Sequence, residues 1–216
     1  MSSPYLGERE WNYAEEWPLK DDALREARER ASEWGIGTTG RAAAGLLQVL
    51  AASIRAQAII DIGTGTGISG AALLAAMPVG GILTSIDTEA EYQRAARDTF
   101  NAMGLPVSRA RLIVGRALDV LPRMSDGAYD MVVVDGDRSE YPATLIQAKR
   151  LLRVGGLAVF MGVLENDTVA DPSRRDPDTM ALRDVVEQVQ QDPDWLATLA
   201  TVGTGMLIAS LQHRGE

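Results

Sequence analysis

Hydrophobic positions along the chain change period several times, and the changes mark an alternation of helices and strands. From Leu19 to Trp34, apolar residues recur at helical spacing through Ala23, Leu24, Ala27 and Ala31, and the pattern stops at Gly35. A second helix is expected over Arg41–Ile54. Short apolar runs rich in β-branched residues then alternate with amphipathic stretches. Strands at 57–62, 81–86, 110–114, 129–134 and 156–161 are separated by helices at 68–77, 89–103, 116–121 and 139–152. Apolar strands each followed by a helix lie parallel and are covered on both faces.

The last third breaks this rhythm. Thr179–Gln190 places Leu182, Val185, Val186 and Val189 on one helical face. The strand-like segments Trp195–Val202 and Gly205–Leu211 are joined by Gly203-Thr204-Gly205, a connection so short that the two must pair antiparallel. The expected fold class is α/β, a seven-stranded, mostly parallel sheet with a C-terminal antiparallel hairpin and helices on both faces. At 216 residues the chain makes one domain, 1–216, with an N-terminal arm at 1–17, N-terminal helices at 19–54 and the core at 56–211. The arm, with Trp11, Tyr13 and Trp17 among acids, reads as irregular chain that packs on the body or on a partner subunit. Asp167–Asp178, polar and proline-containing, reads either as a lid or as a solvated loop.

The most informative segment is Ala58–Gly70, Ala-Ile-Ile-Asp-Ile-Gly-Thr-Gly-Thr-Gly-Ile-Ser-Gly. It hands a buried strand to a helix whose first N–H groups and positive dipole end face whatever lies above the turn. About twenty residues on, Asp87 ends the next strand, where a carboxylate can accept from both hydroxyls of a ribose. Counted from Gly63 the glycines spell G-x-G-x-G, the spacing usual before S-adenosylmethionine (SAM). Counted from Gly65 they spell G-x-G-x-x-G through Gly70, the dinucleotide fingerprint.

Composition narrows the partners. A net charge of −9 argues against gripping a nucleic-acid backbone. The absence of cysteine excludes disulfides, thiolate metal sites and a thiol nucleophile. No apolar run reaches membrane-spanning length, and Met1–Tyr5 lacks the pattern of a secretion signal, so a cytoplasmic protein is expected.

From Leu24 to Leu211 the chain resembles the catechol and caffeoyl-CoA type of SAM-dependent O-methyltransferase, which has a Rossmann-like fold. Four blocks carry the resemblance: Ile60-Asp61-Ile62-Gly63-Thr64-Gly65-Thr66-Gly67-Ile68-Ser69, Leu83-Thr84-Ser85-Ile86-Asp87, Tyr129-Asp130-Met131-Val132-Val133-Val134-Asp135-Gly136-Asp137-Arg138 and Leu151-Leu152-Arg153-Val154-Gly155-Gly156-Leu157. The parallel sheet closed by an antiparallel hairpin favours the same cofactor over NAD.

The resemblance implies that Asp61, Gly63, Thr64, Gly65, Gly67 and Ser69 surround the methionine part of SAM. Thr38 or Thr39 adds a contact there, Asp87 and Thr88 meet the ribose, and Gly115, Arg116 and Ala117 lie along the adenine. Asp135 stands beneath the methyl group, so it belongs to both the cofactor and the catalytic set. The product would be S-adenosyl-L-homocysteine (SAH).

The family also implies a divalent cation on an Asp at the position of Asp135 and on an Asp-Asn pair ending the fifth strand, with a lysine nearby. Aligned without gaps, that pair becomes Met161-Gly162, and the lysine becomes Arg138, which stays protonated. Lys20 and Lys149 are the only lysines, and the only histidine is His213. No metal is therefore expected, unless Glu165 and Asn166 swing in as replacement ligands. In its place Asp135 or Asp137 would act as general base, with Arg138 anchoring an anionic acceptor; the other reading makes Asp137 and Arg138 a surface ion pair. Tyr141 matches a tyrosine that packs more often than it reacts.

The implied function is metal-independent SAM-dependent methylation, at oxygen, of a small-molecule acceptor by a homodimer. The alternatives are a silent SAM- or SAH-binding protein of the same fold and an NAD(P)-dependent oxidoreductase. The latter wants a Tyr-x-x-x-Lys pair, whereas Tyr141 is followed at that spacing by Leu145 and Tyr92 by Ala96.

Overall fold

The computed structural model describes residues 7–18, 21–165 and 167–213. Seven strands, β1 (Ala58–Ile62), β2 (Ile82–Asp87), β3 (Ala110–Val114), β4 (Tyr129–Val134), β5 (Leu152–Met161), β6 (Trp195–Ala200) and β7 (Met206–Leu211), form one sheet in the order β3-β2-β1-β4-β5-β7-β6. The first five are parallel, and β7 inserts antiparallel between β5 and β6. This is the expected Rossmann-like arrangement. The helices are α1 (Glu8–Glu16), α2 (Asp22–Glu33), α3 (Arg41–Ser53), α4 (Ile68–Ala76), α5 (Ala90–Ala102), α6 (Ala117–Val120), α7 (Tyr141–Leu151) and α8 (Pro177–Gln191).

Alternation along the central strands builds two cores. Ile60, Val132, Val134 and Phe160 pack with Leu145 of α7 and with Leu182 and Val185 of α8. Their neighbours Ile59, Met131, Val133 and Val159 point the other way and pack with Leu47 of α3, Leu73 of α4 and Phe100 of α5. Both faces are thus buried, which is why these strands read as unbroken apolar runs.

Three element boundaries differ from the sequence pattern. The arm is not irregular: Glu8–Glu16 is helical. Its stability is tertiary, since Glu15 accepts from the Ala42 N–H at the start of α3 (3.3 Å) and Glu16 pairs with Arg41 (2.7 Å). Strand β5 begins at Leu152 rather than 156, because the chain leaves α7 directly into the sheet and absorbs an irregularity where β4 pairs between Tyr129 and Met131. Helix α8 starts at Pro177, capped by Asp176, whose carboxylate accepts from Thr179 N–H at 3.1 Å. The first residues of the 19–34 pattern lie outside the described residues; α2 itself opens on Asp21, which accepts from Ala23 N–H at 2.8 Å. No helix among the described residues is long and apolar enough to cross a membrane.

Candidate active site

The strand order reverses between β1 and β4, and the chains leaving those strands at their carboxyl ends splay apart. A cleft of about 1160 Å³ opens there. Its floor is fixed by bonds that continue the ladders past the strand ends: Gly63 N–H to Ile86 O (2.9 Å), Asp135 N–H to Ile62 O (2.8 Å) and Gly115 N–H to Asp87 O (2.8 Å). Thr38, Thr39, Gly63, Thr64, Gly65, Ser69, Asp87, Thr88, Gly115, Arg116, Ala117, Asp135, Asp137 and Arg138 all line it. Of the residues singled out from sequence, Asp61 and Gly67 lie behind its wall.

Asp61 is fully buried at the base of the glycine turn. Its Oδ2 accepts from Ser69 Oγ (3.2 Å) and Ser85 Oγ (3.0 Å). Ser85 and Thr64 hydroxyls stand 2.7 Å apart, and Gln93 Nε2 donates to Thr64 Oγ1 at 3.0 Å. With Gln93 donating and Asp61 accepting, the chain must run Gln93 to Thr64 to Ser85 to Asp61. Asp61 Oδ1 has no partner among the described residues.

Burial pushes the Asp61 pKa up to about 7, against the two serine hydroxyls, which favour the anion. The folded protein therefore holds a proton that the unfolded chain releases between about pH 4 and pH 7, so this residue's contribution is full below that range and is lost as pH rises through it. Asp61→Asn, which mimics the protonated acid, should raise the melting temperature of ligand-free protein more at pH 8 than at pH 5. Thermal unfolding at the two pH values checks this, and a larger gain at pH 5 would contradict it.

Asp87 sits one strand over. Its carboxylate accepts from Gly65 N–H (3.0 Å) and Glu89 N–H (3.1 Å), one bond to each oxygen. Each oxygen keeps a further lone pair for a hydroxyl donor. Beside it Tyr92 lines the cleft and stacks on Trp34 with ring centroids 5.5 Å apart. Arg116, at the far end, is paired with Glu140.

At the other end of the cleft Arg138 occupies the centre. Its Nη1 donates to Asp135 Oδ1 (3.3 Å), to Gly136 O (3.3 Å) and to the Tyr141 hydroxyl, and its Nε donates to Glu165 Oε2 (3.3 Å). Tyr141, fully buried, ties the ends of β4 and β5 together through Val134 O (3.2 Å) and Met161 O (3.0 Å). Its phenol is pushed well above the ordinary range by burial, so it stays protonated and packs, as its sequence position suggests.

Burial also raises the Asp135 carboxyl, opposed by Arg138 and by a hydrogen bond from the Thr39 side chain. Asp137 is engaged elsewhere: it accepts from Ser139 N–H (2.9 Å) and Oγ (2.6 Å), which hold its pKa low. The surface ion pair between Asp137 and Arg138 is therefore not formed. Nor is Arg138 a free anchor for an anion, because two carboxylates already hold it.

The donor set does not fit the divalent cation implied by the resemblance. Met161 and Gly162 end β5 beside Asp135 and offer a thioether and no side chain at all, neither a ligand for a hard cation. A guanidinium lies over Gly162, whose backbone is left-handed (φ +68°) and where a Cβ would come within 2.5 Å of Arg138 Nη2. Glu165 is bonded to that guanidinium, and Asn166 lies outside the described residues.

Sequence reasoning missed Tyr92, Glu140 and the turn 201–205, which lines the cleft and holds the chain after β5 through Leu164 N–H to Thr204 O (3.0 Å). It also missed Gln93 on α5 and Ser85, although for Ser85 the polar pair Thr84-Ser85 inside the otherwise apolar β2 was a visible signal. Of the loop 167–178, only Asp167 lines the cleft. Arg183 on α8 holds the rest through the carbonyls of Thr168 (3.0 Å), Val169 (2.9 Å) and Arg174 (2.7 Å), so it is a surface loop.

Residues 13–211 match the family model for O-methyltransferases. A relative from Mycobacteroides abscessus, provisionally named an O-methyltransferase, is 39% identical over 199 residues, covering 92% of this chain and 93% of its own. The crystal structure of the O-methyltransferase TomG from Streptomyces achromogenes, in complex with SAM, is 28% identical with a TM-score of 0.85, over 97% of this chain and 100% of that one. A Corynebacterium glutamicum protein is 30% identical with a TM-score of 0.88, over 96% and 98%.

Proposed function

The chain belongs to the O-methyltransferase family and is a SAM-dependent O-methyltransferase, and on that premise we propose that it methylates a hydroxyl of a small-molecule acceptor without a divalent cation. The observation that supports the metal-free reading is the Arg138 guanidinium, held between Asp135 and Glu165 above Gly162. A fixed positive charge stands where the family has a cation.

The residues suit the cofactor. Asp61 Oδ1 is an orphan acceptor one layer below the glycine turn, where an ammonium or an ordered water would satisfy it. Thr38 offers a hydroxyl for a carboxylate near the start of α4, Ser69 and Thr39 can turn to it by releasing Asp61 and Asp135, and Asp87 suits the ribose. Thr88 would stand with Asp87 at the ribose, and Gly115, Arg116 and Ala117 would border the adenine. When bound, SAM supplies a methyl group on a sulfonium, open to in-line displacement with the electron pair returning to sulfur.

The protein's part is alignment and proton removal. Asp135 is the better-placed base, because burial lifts its proton affinity while Asp137 is tied to Ser139. Arg138 lowers the cost of an ionising acceptor oxygen: a nearby opposite charge shifts a pKa by roughly 1–3 units. It keeps its own charge throughout. The net charge of −9 supports a small-molecule acceptor rather than nucleic acid. Tyr13 and Trp17, both more than 70% exposed, support a homodimer through the N-terminal helix, and the composition supports a cytoplasmic location.

SAH at about 100 times its Kd should stabilise the fold by about 2.7 kcal/mol, a rise in melting temperature of roughly 5–10 °C, whereas NAD should give none. Methyl transfer should survive EDTA. A strong requirement for Mg²⁺ or Mn²⁺ would overturn the metal-free reading.

A further inference from the structure

The charge of the cleft, together with the way its cations are used, speaks to the acceptor. Among the described residues seven carboxylates and two guanidiniums line it. Both guanidiniums are spoken for: Arg116 by Glu140, and Arg138 by Asp135 and Glu165. Four of the carboxylates, on Glu15, Asp87, Asp137 and Asp167, have no ion-pair partner among the described residues. Glu15 and Trp11 line the cleft from α1, and Asp167 lines it from the chain after β5. Among the described residues Arg138 donates through Nε and Nη1, which leaves the Nη2 edge, above Gly162, without a hydrogen bond.

An acceptor arriving as a carboxylate or phosphate would enter this acidic field and find no unshared cation. A hydroxyl arriving uncharged meets Nη2 directly, and if it ionises in place its proton stays on Asp135, so the net charge of the cluster is unchanged. We propose that the methyl acceptor is a hydroxyl compound carrying no anionic group, uncharged or cationic, whose reacting oxygen meets the free Nη2 edge of Arg138. Glu165 is then a specificity residue. By neutralising Arg138 from the side, it denies anions the one cation that lies near the reacting oxygen.

This inference rests on the transferase reading, and three matched phenols test it apart from that reading. Tyramine is cationic, 3-(4-hydroxyphenyl)propionamide is neutral and 3-(4-hydroxyphenyl)propionate is anionic. Calorimetry on SAH-loaded protein at low salt should show the amine and the amide binding, with the anion weaker by about tenfold or more. The gap should shrink at high salt, and kcat/KM should follow the same order. Glu165→Gln should raise the affinity of the anion several-fold and leave the amide nearly unchanged.

Equal or tighter binding of the anion overturns the proposal, as does failure of all three phenols to bind a protein that SAH stabilises. An unchanged anion affinity in Glu165→Gln removes the role of the shared guanidinium. If SAH itself fails to stabilise the protein, the transferase reading falls instead, and the two failures are told apart in one series.

Discussion

Asp135→Asn is expected to lower kcat by about 10²–10⁴-fold while the rise in melting temperature with SAH persists. Asparagine keeps the shape of the side chain and its acceptor oxygen toward Arg138, which also retains Glu165 at 3.3 Å. What it loses is the capacity to take a proton. The position of Asp135 is set by main chain, through its N–H on Ile62 O at 2.8 Å, so the substitution leaves the floor of the cleft in place.

The pH profile carries the second half of the test. A general base acts only when ionised, so kcat/KM should rise with pH through the pKa of Asp135. Burial raises that pKa, placing the limb above the range of an exposed carboxylate. In Asp135→Asn the limb should vanish. Asp137→Asn is the control on the neighbouring acid: asparagine keeps an oxygen to accept from Ser139 N–H and cap the turn, so it should cost little stability and little kcat. If Asp137→Asn abolished turnover and Asp135→Asn did not, the assignment of the base would be reversed.

Periodicity made most of this fold legible. The central parallel strands bury both faces, so their runs are mainly apolar, and the edge strand β3, with Arg111 and Val114 exposed, shows through its place in the alternation. The glycine turn and Asp87 were legible for a related reason: both answer to local backbone needs within some twenty-five residues. The helix at Glu8–Glu16 was not, because a nine-residue helix rich in polar groups is marginal alone. It is held by Glu15 and Glu16 against α3, about twenty-five residues away.

The same distance hid the partners of Arg138. Its sequence neighbour Asp137 suggests a local pair, but the 3₁₀ turn Arg138–Glu140 needs that carboxylate as its cap and turns the guanidinium toward Glu165, twenty-seven residues on. The exchange of an Asp-Asn pair for Met161-Gly162 was visible as a loss. What fills the space was not, since nothing in a one-dimensional pattern says that a side chain from the β4–α7 turn lies across the end of β5.

Gly63→Ala is expected to be the most damaging small substitution in the chain, costing about 2–5 kcal/mol and abolishing SAH binding. Two costs add. The residue sits at φ +89°, a left-handed conformation that a Cβ penalises, and the added carbon would lie 2.1 Å from the main-chain oxygen of Asp135. That oxygen cannot step aside. It belongs to the chain leaving β4, which is held to β1 through the Asp135 N–H on Ile62 O, while Gly63 itself is held to β2 through Ile86 O at 2.9 Å. Relief requires opening the β1–β4 seam at the point where the cleft begins.

Gly162→Ala separates the two costs. Its φ of +68° carries a similar backbone penalty, but the atom it meets is the far end of Arg138, which can move, so a loss of only about 1–2 kcal/mol is expected. Urea unfolding of both variants reads the difference as the steric cost at Gly63. Equal destabilisation would mean that the seam between β1 and β4 yields, and the rigid floor on which both the cofactor and Asp135 depend would have to be given up.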